Sequence, residues 1–165
     1  MSLSKKKIKI NNLAALLYIT TIDTTQLNYL LEKTNDIKAV DRSIILNELI
    51  LLRLIIVCFL LCSNKIFKSH EDRTTRLHLE YLEHFESDDY KFDGKVQFVD
   101  LFESRMKVYR PLLEIDCIQC AVEIAQIVAD NCGVKNSNAF VHMIKIYYLN
   151  NLLNFNELLR NYKLI

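Results

Sequence analysis

Two groups of residues in this sequence have the types and spacing that chemistry uses. Cys117-Ile118-Gln119-Cys120 is a CxxC, the spacing of zinc ligands and of thiol exchange. A structural zinc site needs a second ligand pair; Cys58 and Cys62, four apart, supply one only if a different segment meets the CxxC in space. A thiol-exchange site wants a helix N-terminus following a strand, and the segments around Cys117 read as helical throughout. Core thiols are the simpler reading.

Glu48, His78, Glu80 and His84 are the pieces of a carboxylate–histidine metal site of the kind built between facing helices. The chain has no Glu-x-x-His, and the step from Glu80 to His84 is four residues, which still shares a helix face. A buried carboxylate–histidine site for a metal or small ligand is therefore the alternative reading; the leading one has no metal and no cofactor. No glycine-bounded serine occurs, and Gly94 and Gly133 are too few for a phosphate-cradling loop. The common enzyme classes leave no signature here.

The charges inside the most apolar stretch matter more. From Ile44 to Cys62 only Asn47, Glu48 and Arg53 interrupt a run of large apolar residues and cysteines. As a helix it is about 28 Å long, and beyond Leu54 it has no polar face, so neighbours must cover every side. A membrane span is the rival, opposed by Glu48 and Arg53, each costing about 3 kcal/mol at a bilayer centre. Five residues is roughly 140° of helical rotation, so the two do not pair with each other. Each needs a partner from another element. Asn47, Glu48, Arg53, Arg105 and Tyr109 are the candidates for a buried polar network, with Glu80, Glu83, Glu103, Glu114 and Glu123 the available carboxylates for Arg53.

With 2 Gly, 1 Pro and 51% apolar residues in 165, the chain lacks the turn punctuation of a sheet protein. The expectation is an all-α, irregular single-domain bundle of six or seven helices, occupying residues 10–165 around a central helix at about 43–67, behind a flexible basic tail at 1–9. Amphipathic spacing gives a helix from Leu13 to about Thr20 and a second at 24–33 after the Asp23/Gln26 cap. An Asn35-Asp36 cap would let the central helix begin as early as Ile37. Further helices follow at 70–85 after Ser69, at 95–109, at 111–131 beginning on Pro111 and ending at Gly133, and from 139 onward with a break and recap near Asn154. An acidic loop at 86–94 carries Tyr90 and Phe92.

Charge is balanced, 21 basic against 20 acidic, which argues against nucleic acid and against an anionic membrane surface as partners. A helix-turn-helix regulator is the third reading, its second helix offering Gln26, Asn28 and Lys33 with Glu32 opposed. No secretory signal fits the N-terminus, so a cytoplasmic location with reduced thiols is expected. The last helical region carries Tyr147, Tyr148, Leu152, Phe155, Leu159 and Tyr162, more apolar bulk than one face holds. These are interface candidates, unless both sides are buried within the monomer. The leading expectation is a non-enzymatic interaction or regulatory protein that self-associates, as a homodimer through these helices, with an unidentified protein partner.

Overall fold

A computed structural model describes residues 5–33, 41–63, 71–87, 98–115, 118–134 and 137–165. The Asn35-Asp36 and Ser69 caps, the 86–94 loop with Tyr90 and Phe92, and Cys117 fall wholly or mainly outside them. Among the described residues the elements are β1 (Lys6–Ile8), α1 (Ile10–Ile22), α2 (Thr25–Lys33), α3 (Arg42–Ser63), α4 (Glu71–Ser87), α5 (Phe98–Leu113), α6 (Ile118–Asn131), α7 (Asn138–Asn161) and β2 (Tyr162–Leu164).

The fold is an all-α bundle with α3 at its centre. Ile45, all of Glu48 through Cys58, Leu60 and Leu61 are buried, because α1, α4, α5, α6 and α7 all pack on this one helix. It is the only described helix long and apolar enough to cross a membrane, and 78% of its apolar window is buried inside the fold. Each fully buried Leu or Ile contributes roughly 1.5–3 kcal/mol by removal from water, so α3 is the principal source of the bundle's cohesion. Asp41 starts it, accepting from the Ser43 backbone N–H and hydroxyl, both at 2.8 Å. Those bonds favour the ionised carboxylate and hold its pKa below the ordinary value.

The other ends follow local chemistry. Gly133 adopts φ 70° after α6, with the Val134 N–H returning to the Ala129 carbonyl at 2.9 Å. That is the left-handed stop for which glycine carries no side-chain penalty. Ser137 caps α7 by accepting from the Phe140 N–H at 3.1 Å.

Three boundaries differ from the sequence expectation. Pro111 lies inside α5, which runs on to Leu113. Near a helix end proline removes a single hydrogen bond, and burial of Leu113 outweighs that loss. The helix gives way at Glu114 and Ile115, where the Ile115 N–H turns back to the Leu112 carbonyl at 3.2 Å. Helix α7 is continuous through Asn154. Residues 6–8 of the expected tail form a strand, paired in parallel with β2 in the register Lys6↔Tyr162, Lys7↔Lys163, Ile8↔Leu164. Leu164 is buried, Arg73 donates to its carbonyl at 3.1 Å, and the two chain ends are thereby held side by side.

Candidate functional site

The charges of α3 are used in two separate places. Glu48, 5% exposed, accepts from Arg105 Nε at 3.0 Å on both carboxylate oxygens. Its Oε1 also accepts from the Tyr109 hydroxyl at 2.6 Å and from Asn131 Nδ2 at 2.7 Å. Helices α3, α5 and α6 are thus joined through one carboxylate, whose charge is met by a guanidinium and two neutral donors. Burial, then the Glu48 charge, push the Tyr109 hydroxyl pKa well up and keep it a donor. Burial and the same charge push the Cys132 thiol up to about 12, so it is held as an unreactive thiol.

Arg53, 4% exposed, forms no ion pair among the described residues, and none of the expected carboxylates is its partner. Its Nε donates to Asn151 Oδ1 at 3.0 Å, and its Nη1 to the carbonyls of Thr20 at 3.5 Å, Thr21 at 3.2 Å and Asp23. Helix C-termini leave carbonyls without intrahelical partners at the negative end of the dipole. A cation on α3 satisfies the end of α1 where a carboxylate would have been the obvious guess. The guanidinium also lies 5.0 Å from the Tyr147 ring centroid.

The structure therefore brings Glu48, Arg105 and Tyr109 together and places Arg53 apart from them. Asn47 is half-buried on the same helix. Sequence reading missed Asn131 and Asn151. The signal was an asparagine within a good helical pattern; Asn151 looks like a helix breaker, but its Nδ2 donates to the Tyr147 carbonyl at 2.7 Å while its oxygen serves Arg53.

Four of the six interface candidates lie inside the monomer. Tyr147, Tyr148, Phe155 and Leu159 are buried within the monomer, while Leu152 and Tyr162 are half-buried. Helix α7 needs this face for α6 and α3. The metal candidates do not converge. Glu48 is held by Arg105, Glu80 pairs with Arg76 at 2.8 Å, His84 stacks on Tyr18 at 5.2 Å between centroids, and His78 Nδ1 lies 3.9 Å from Cys62 Sγ. No three His, Cys, Asp or Glu side chains among the described residues are grouped to hold a metal ion. Of the proposed recognition residues, Asn28 is engaged by Arg42 Nη2 at 2.9 Å.

What the geometry does offer is a cavity of about 360 Å³ between α3 and the end of α5. Cys58, Phe59 and Met106 supply its apolar wall, Cys62 and Ser63 one end, and Arg110 and Glu114 a charged rim. Arg110 Nε and Glu114 Oε1 are 3.3 Å apart and well exposed, so that pair adds only a few tenths of a kcal/mol to the helix. Burial, then the neighbouring Cys62, push the Cys58 thiol pKa well up, which makes it an apolar wall group. No protein-family model, curated protein or solved structure matches the chain.

Proposed function

We propose that this chain is a cytoplasmic, non-enzymatic binding protein whose ligand is a small apolar molecule taken up between α3 and α5. The observation that carries the reading is the 360 Å³ cavity with an apolar wall and a polar rim, the form that small-molecule sites take. A dry cavity of about 150 Å³ holds benzene, so this one suits a molecule of two fused rings or a short branched chain. Arg110 and Glu114 would orient a polar substituent at the mouth. Calorimetric titration with indole tests it. We expect one site per chain, retained in Met106→Leu and lost in Met106→Trp, which fills the cavity from its α5 side. Heat of dilution alone in the unaltered chain would refute it.

Self-association is a second reading, favoured by a different face from the one sequence suggested. Ile146 and Leu153 on the outer side of α7 are 46% and 65% exposed, one above the other at a seven-residue spacing, with the half-buried Leu149 between them. A second copy of the chain, related by a two-fold axis, would cover this stripe with the same stripe. The subunit count in a native mass spectrum tests it, and a single subunit at micromolar concentration would remove it.

A further inference from the structure

A second, smaller cavity of about 140 Å³ lies at the junction of α1, α2 and α7, and Arg53 is on its wall. The guanidinium spends Nε on Asn151 and Nη1 on the carbonyls at the end of α1; Nη2 has no acceptor among the described residues. Nη2 is not among the buried side-chain atoms left without a partner, so it meets the solvent of the cavity and is open to a ligand. The same cavity is lined by Gln26, in the first turn of α2, and by Asn154 of α7.

One acid, Asp23, also lines the cavity. It matches Arg53 in formal charge and not in surroundings: Asp23 is exposed and its carboxylate accepts from the Thr25 N–H at 2.9 Å, whereas Arg53 is buried. Water screens the exposed acid more than the buried guanidinium, although Arg53 still helps to hold the Asp23 carboxylate ionised. Phe155 and Leu158 complete an apolar side. At about 30 Å³ per water the space holds four or five waters or one small solute.

We propose that this cavity is a binding site for a small oxyanion, a short-chain carboxylate or a phosphate, received by Arg53 Nη2 with the amides of Asn154 and Gln26 beside it. The two sources share the chemistry of a compact oxygen anion and differ in the tail that Phe155 and Leu158 would contact. The site is separate from the α3–α5 cavity and does not depend on it.

The test is ¹H–¹⁵N NMR of the full chain titrated with propionate and, separately, with inorganic phosphate, at ionic strength held constant with chloride. We expect saturable shifts at Arg53 Nε–H and at the Gln26 and Asn154 amides. Saturation by propionate alone identifies a carboxylate ligand; saturation by phosphate alone or as well identifies the wider oxyanion class. Asn154→Asp places a negative charge on the wall and should weaken binding by about tenfold or more. Asn150→Asp, exposed on the same helix and outside the cavity, makes the same change in net charge and should leave binding intact. Linear, non-saturating shifts with both anions, or equal affinity in the Asn154→Asp chain, would overturn the proposal.

Discussion

Replacing Tyr109 by Phe removes one oxygen from the Glu48 network, and with it an acceptor of Asn131 Nδ2 at 3.2 Å. The ring is fully buried and its hydroxyl donates to Glu48 Oε1 at 2.6 Å. Afterwards the carboxylate keeps Arg105 and Asn131, but a charged acceptor loses a short bond that water cannot readily replace. Hydrogen bonds to charged groups contribute about 1.5–3 kcal/mol, and for a chain of this length the middle of that range is about 4.5–9 °C in Tm. Glu48→Gln discharges the site and sets an amide against Arg105. Its cost should be similar, since Arg105 keeps 23% of its side chain in water and stays solvated. Residues in one hydrogen-bonded network are not additive, so the double variant should lose about 1 kcal/mol less than the sum of the single changes. Urea unfolding followed by the helical circular dichroism signal measures all three. A Tyr109→Phe loss below about 0.5 kcal/mol, or strict additivity, would refute the view that this carboxylate ties α3 to α5 and α6.

Two further outcomes follow from the other buried polar groups. His78 is half-buried and burial lowers its pKa from 6.5; between that lowered value and 6.5 the unfolded chain binds more protons, so stability should rise with pH through this window and level off below it, where both states carry the proton. Its Nε2 has no partner, so His78→Leu should flatten the slope between pH 5 and 7 without loss at neutral pH, as read from urea midpoints. Arg53→Met should cost about 3 kcal/mol by orphaning the carbonyls at the end of α1. Amide exchange in the last turn of α1 should then accelerate more than exchange in α6.

The central helix was legible because a run with no polar face admits one solution, burial on all sides, and scarcity of Gly and Pro left helices as its neighbours. The exclusion of a Glu48–Arg53 pair was also legible, from helical rotation alone. Arg53's partners were not, because backbone carbonyls at a helix end carry no residue-type signal. The break expected near Asn154 failed for a related reason: asparagine's capping preference is local, whereas Asn151 donates to the Tyr147 carbonyl one turn back in α7 and accepts from Arg53 across the bundle. Pro111 misled because a propensity of one residue competes with burial of the two leucines that follow it. The strand Lys6–Ile8 was not legible, because three residues, two of them lysine, carry no strand pattern without Leu164 beside them.

The most direct test of the α3–α5 cavity is where a ligand sits. A crystal of the full chain soaked with 5-bromoindole should show the bromine's anomalous signal between Phe59 and Met106, beneath Arg110. Signal at another position, with this cavity empty, would contradict the account.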